Sequence, residues 1–323
     1  MNTATQRRYA PVPRLSALRH VGMDRVGIGY ALIDNCSSQE ACAAIIAHAR
    51  AGGEPAYVTT ANAHHVVLLD RDLHLREIYA RADLVVPDGG SLLLAARLFG
   101  RRLQERITGV DMFQTLCGLA AEDSLHVFLL GGRPKSADLA AMVLKQRFPP
   151  LQISTYCPPF GFEKTTAGIE ETVQAVRGAN PDLLFVALGA PKQEYWIYEY
   201  GLRLSVPVCI GVGATFEMVA GVVPRAPLWM QNHACEWLYR LCLEPRRMWR
   251  RYLVGNVEFG AIVSRQWVRR AFLHAFFALV DKDRFAAELY EPGLQRKHKL
   301  FANVVNFRSG DIRETHHSDA LAG

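Results

Sequence analysis

The chain has 323 residues, half of them hydrophobic, and carries a formal net charge of +6. That length admits one large α/β domain or a domain with an appendage, and that apolar content excludes wholesale disorder. The charge is unevenly placed, because arginines crowd residues 240–270, and such asymmetry points to an anionic partner: phosphate, nucleic acid or an acidic membrane surface.

Residues 1–24 are polar, proline-containing and aperiodic, and read as a flexible arm; they hold arginines but no apolar h-region, so they do not form a secretory signal. Residues 26–33 predict a first strand, and 38–51 an amphipathic helix with Ser37 or Ser38 as its cap. A second strand over 56–60 runs into Ala61-Asn62, and 63–82 has helical periodicity. The third strand, 84–86, stops at Pro87 and is followed by Asp88, Gly89, Gly90 and an apolar helix through Phe99. After a basic connector over 100–109 comes a helix over 110–121. Strands over 125–130, 151–156, 182–188 and 206–212 then alternate with helices over 135–148, 169–177 and 192–204. Short apolar strands alternating with longer helices imply a parallel sheet covered on both faces, a Rossmann-like α/β fold, over residues 25–228.

From Trp229 the alternation ends and a C-terminal helical appendage begins, 229–298, rich in tryptophan and arginine. Its predicted helices cover 229–243, 245–253 with Pro245 in the first turn, and 259–280. Residues 299–323 read as a polar tail. No run reaches the ~18 apolar residues that span a bilayer. The seven cysteines form no CxxC pair and no Cys/His ligand spacing, which argues for a reducing cytoplasm and against structural zinc.

Four strand ends carry polar groups: Thr60 and Asn62; Asp88; Lys192, Gln193 and Glu194; and Gly211, Gly213, Thr215 and Glu217. In a parallel sheet these share one rim, where open α/β sheets bind their ligands. Other signals are weaker. The run from Gly211 to Phe216 lacks the third glycine of a dinucleotide fingerprint and falls on the last strand, not the first. Asp70-Arg71-Asp72 and Asp281-Lys282-Asp283 read as solvated faces, and the adjacent His64 and His65 as ordinary helix residues. Arg240, Arg246, Arg247, Arg250 and Arg251 stand with a single Glu244, and their forks suit diphosphate oxygens. No recognition motif or stacking array accompanies them, so nucleic acid is not expected.

The motifs TTAN at 59–62, PDGG at 87–90, ERITGVD at 105–111, LGAPKQE at 188–194, GVGATFEMVAGVVPRAP at 211–227 and EWLYRLCLEPRRMWRRYL at 236–253 resemble the TagA/WecG/CpsF family of bacterial glycosyltransferases. The resemblance implies an inverting, metal-independent transferase without a cofactor. It would move N-acetylmannosamine, its uronic acid or glucose from a UDP-sugar to an undecaprenyl-diphosphate-linked acceptor in cell-surface polysaccharide synthesis. It implies Asp88 as the base and Thr60, Asn62, Arg106 and Gln193 around the sugar. Glu217, where the family often has Asp, would contact the nucleotide, and Arg240, Arg247 and Arg250 would meet diphosphate. The alternative is a non-catalytic binding module of the same fold with a basic tail for membrane or nucleic acid. Residues 259–280 pair a broad apolar face with a basic stripe, which predicts a helix in the interface of an acidic inner membrane and a cytoplasmic, peripheral protein. The other reading packs that helix on the catalytic domain or on a second copy in a homo-oligomer.

Overall fold

The structure, a computed structural model, describes Leu18, residues 24–232 and residues 235–279. The predicted first strand is a hairpin: β1 (Arg25–Ile28) and β2 (Ala31–Asp34) pair antiparallel as a separate two-stranded sheet. Gly29, at φ +58°, supplies the positive dihedral that a two-residue turn needs. Periodicity alone could not separate this from one strand, because a two-residue turn leaves the apolar alternation intact. Of residues 1–24, Leu18 is buried in the core and Asp24 accepts from Asn35 (3.0 Å).

Helix α1 (Ser38–Ala51) begins with a capping box in which Ser37 is the cap. Then follow β3 (Ala56–Ala61), α2 (Ala63–Arg71), α3 (Leu73–Arg81), β4 (Leu84–Pro87), α4 (Gly90–Leu98) and α5 (Gly109–Glu122). The helix expected over 63–82 breaks at Asp72. Its carboxylate caps α3 by accepting from Leu75 N (3.0 Å), while Arg76 takes up the freed carbonyls of Leu69 and Asp70. The break therefore leaves few backbone groups unpaired. The second half runs β5 (His126–Gly131), α6 (Ser136–Arg147), β6 (Gln152–Tyr156), α7 (Thr166–Ala179), β7 (Leu183–Ala187), α8 (Lys192–Leu204), β8 (Val208–Gly211) and α9 (Thr215–Val219).

The six strands β3–β8 form one parallel sheet in the order β4-β3-β8-β7-β5-β6. Alternate strand residues feed two cores. Val58, Val86, Leu129, Phe185 and Ile210 face α1, α5 and α6; Tyr57, Val85, Leu130, Val186 and Cys209 face α2, α3 and α8. All six strands end at the same rim, so the polar residues that follow them are brought together there.

The appendage comprises α10 (Leu228–Asn232), α11 (Glu236–Leu243), α12 (Pro245–Trp249), a π-helical turn (Arg250–Val254) and α13 (Gly255–Leu279). The helix expected over 229–243 is thus two pieces. The boundary expected before Phe259 is absent, because Gly255 keeps helical dihedrals (φ −61°, ψ −37°). The first half of α13 is anchored to the domain. Phe259, Ile262 and Val263 enter the core, and Gln266 accepts from Gly29 N (2.8 Å) and donates to Gly27 O (2.9 Å). Farther along, Trp267, Val268, Phe272 and Phe276 are exposed. Val280, Asp281-Lys282-Asp283 and the expected polar tail lie outside the described residues. No described helix is long and apolar enough to cross a membrane.

Candidate active site

Asp88 stands one residue beyond β4. Its backbone N–H donates to Ala61 O (2.7 Å), tying it to the end of β3. Its Oδ1 accepts from Gly109 N (3.2 Å) at the start of α5, and its Oδ2 from Asn62 Nδ2 (3.5 Å). Asn62 is fixed in turn, since its Oδ1 caps α2 by accepting from His64 N and His65 N. The carboxylate is therefore oriented by two separate segments of the rim, the end of β3 and the start of α5. Thr60 supports them from below, buried and donating to Gly211 O (3.3 Å).

A cavity of about 490 Å³ opens over Asp88. Its floor is Asn62, Gly89 and Thr108; its cationic wall is Arg106, Arg240 and Arg251; α11 and the π-helical turn add Glu236, Trp237 and Tyr252. Glu236 reaches across from the appendage to Arg106 (3.4 Å). Burial, then the charge of Asp88, pushes the Glu236 carboxyl upward against the pull of Arg106, Arg225 and Arg240. Burial also lowers Arg251, whose buried Nε has no hydrogen-bond partner. His64 lines the same cavity. Burial, then the charge of Arg251 and neighbouring His65, holds its imidazole down at about 3, so the ring is neutral at ordinary pH.

A second cleft, about 410 Å³, lies between the ends of β5 and β7, lined by Gly131, Gly132, Leu188, Lys192 and Phe160. From β5 the chain turns outward to β6, whereas from β7 it turns inward to β8, so this crevice is a topological switch point. Gly131 and Gly132 have φ of +89° and +83°. A Cβ on Gly132 would meet Ser136 Oγ at 2.4 Å, so only glycine lets the backbone pass. Glu217 sits beneath this loop: Oε1 accepts from Arg133 N (2.9 Å), and Oε2 is buried with no partner.

Of the residues singled out from sequence, Asn62, Asp88, Arg106, Thr215, Arg240 and Arg251 line one cavity. Gln193 does not. It is buried, donating to Glu194 Oε1 (2.9 Å) and accepting from Gly213 N (3.0 Å), and so braces the loop after β8. Arg247 pairs with Glu244 (3.1 Å) and Arg250 lies 5.3 Å over the Trp249 ring, both outside the cavity wall. Sequence reasoning passed over Glu236 and read His64 as an ordinary helix residue, whereas both line the cavity. Only the capping motif at Asn62 hinted that the next residues would sit at the site's edge. Among the described residues, no three His, Cys, Asp or Glu side chains gather into a metal-holding group.

A strand-end carboxylate facing arginines across a covered cleft is the equipment of a Rossmann-like transferase that handles anionic substrates. Residues 26–272 match the Glycosyl transferase WecG/TagA/CpsF family, and the chain belongs to it. Similar proteins include the N-acetylglucosaminyldiphosphoundecaprenol N-acetyl-beta-D-mannosaminyltransferase of Bacillus subtilis (strain 168), 32% identical over 198 residues, covering 61% of this chain and 75% of that one. The enzyme of the same name from Staphylococcus aureus is 28% identical over 215 residues, covering 67% and 83%.

Proposed function

We propose that this glycosyltransferase moves N-acetylmannosamine from UDP to N-acetylglucosamine carried on undecaprenyl diphosphate, with inversion and without a metal ion. The observation that carries the reading is Asp88, held by Gly109 N and Asn62 and facing Arg106, Arg240 and Arg251 in one cavity. In a single displacement the acceptor hydroxyl attacks the anomeric carbon while its proton passes to Asp88. UDP leaves from the opposite face, and its developing charge needs fixed positive groups, which the arginine wall supplies. The crevice between β5 and β7 suits the nucleotide. Glu217 lies beneath the loop that edges this crevice, and its unpartnered Oε2 is the acceptor that a shift of that loop would offer to a uracil N–H. Thr60 and Gln193 act by bracing the rim, and Arg247 and Arg250, which lie outside the cavity wall, would reach diphosphate only if the appendage moved. UDP-linked N-acetylmannosaminuronic acid and UDP-glucose are the alternative donors.

The acceptor's lipid keeps the reaction at a membrane. The exposed Trp267, Phe272 and Phe276 of α13 suit a peripheral attachment to an anionic surface. The test mixes each UDP-sugar with a short-chain diphosphate-linked N-acetylglucosamine and measures UDP release and product stereochemistry in EDTA. Release with UDP-N-acetylmannosamine, giving the inverted anomer, is expected. Retention of configuration, or activity only with added Mg²⁺ or Mn²⁺, would overturn the reading.

A further inference from the structure

The catalytic cavity has an apolar exit. Ser91 and Leu94 of α4 line it, yet Leu94 is 60% exposed, so this side chain is both cavity wall and outer surface. Leu98, one turn farther, is 52% exposed. Spacings of three and four place Ser91, Leu94 and Leu98 on one stripe of the helix. The stripe starts beside Asp88 and runs outward along α4, a helix of nine residues and so roughly 13 Å long.

Helix α13 leaves the same cavity, which Asn256 and Phe259 also line, and meets the far end of α4. There Arg270 Nη1 donates to Phe99 O (3.4 Å), and the guanidinium lies 4.8 Å over the Phe99 ring. Trp267 and Leu273, one helical turn to either side of Arg270, are 47% and 37% exposed. Large apolar side chains therefore continue from the cavity mouth along α4 to the exposed end of α13. The appendage side mixes charge with the rings of Trp237 and Tyr252, and there Arg240, Arg251 and Glu236 would lose hydration against a hydrocarbon without gaining a partner.

We propose that the stripe Ser91–Leu94–Leu98 is the track by which the acceptor's polyprenyl chain leaves the active site, delivering it to Trp267 and Leu273 and so to the bilayer. This rests on the acceptor reading above. The occupant follows from continuity: an acceptor sugar with its hydroxyl at Asp88 places its diphosphate and first isoprene units at the mouth, and Leu94 is an exposed apolar residue that stands there. A protein partner lying on the stripe would block that mouth. Exposed leucines on a helix that otherwise packs on β1 and β4 also cost solubility, which a lipid path offsets.

The test compares two acceptors, N-acetylglucosamine on undecaprenyl diphosphate in detergent and the same sugar on a short, water-soluble alkyl diphosphate, for the full chain and Leu98→Gln. Leu98 is exposed and does not line the cavity, so the fold is not at stake. The expected result is a rise of about ten-fold in KM for the long-chain acceptor with kcat unchanged, and less than a two-fold change for the short one. Equal changes for both acceptors, or none for either, would overturn the track. So would a change in sedimentation coefficient without a change in the KM ratio, which would make the stripe a contact between copies. A benzophenone-tipped polyprenyl diphosphate supplies a readout that needs no turnover. Cross-links within residues 91–98 and 267–273 support the track, and cross-links confined to the α11 side refute it. Failure of both acceptors to react, with cross-links still on α4, would fault the proposed donor or reaction and leave the track standing.

Discussion

Replacing Asp88 with asparagine separates chemistry from folding, because the structure predicts both costs. The acid accepts at two points, Oδ1 from Gly109 N (3.2 Å) and Oδ2 from Asn62 Nδ2 (3.5 Å). An amide has one acceptor, so either orientation turns its NH₂ toward one of those donors. Asn62 cannot flip to relieve this, since its Oδ1 already serves His64 N and His65 N. One hydrogen bond is lost at a half-buried site, a cost of about 1 kcal/mol, which lowers Tm by about 1–2 °C in a chain of this size. Loss of the base costs far more: turnover should fall by about 10²–10⁴, roughly 2.7–5.5 kcal/mol of barrier. UDP release with a short-chain acceptor, together with a thermal melt and UDP titration, measures all three quantities. An Asp88→Asn enzyme that melts and binds UDP nearly as the parent does, yet turns over within a few-fold of it, would refute the assignment.

His64 should make the fold sensitive to acid. Its folded-state value of about 3 lies below that of a free imidazole, ~6.5, so as pH falls the unfolded chain takes up the proton first. The associated stability is complete above about pH 6.5 and is lost progressively toward pH 3, by at most about 1.4 kcal/mol per unit, and less because the ring is partly exposed. Urea midpoints at pH 7 and pH 5 should converge in His64→Gln; an unchanged pH slope would count against the burial argument. The exposed end of α13 should carry vesicle binding. The full chain should sediment with anionic liposomes, more weakly at high salt, and Trp267→Ser, Phe272→Ser and Phe276→Ser together should reduce binding by about ten-fold or more. Binding unaffected by either salt or the triple change would favour a protein partner for that helix.

Much of the architecture was legible without coordinates. Alternating apolar strands and amphipathic helices specify a two-sided parallel sheet, and such a sheet has one ligand rim, so Asn62 and Asp88 could be brought together on paper; Arg106 and Arg240 joined them only through the family motifs they stand in. Local chemistry also set details: Ser37 with Glu40 begins α1, and Pro245 opens α12. What pattern could not decide were matters of approach between distant segments. The Gly29 turn folds back a strand whose hydrophobic alternation runs straight through it, and Asp72 breaks a helix whose periodicity does not falter. The strand order places the switch point between β5 and β7, a consequence of packing six strands that no single strand encodes. Arg251 enters the cavity while Arg247 and Arg250 do not, because the π-helical turn, with more residues per turn, lowers the rotation per residue and redirects that face. Glu236 is ordinary in sequence; it becomes a second carboxylate beside Asp88 only because α11 docks across 130 residues of chain onto Arg106. Periodicity reports which face a residue takes on its own element. Which faces then meet is settled by tertiary packing.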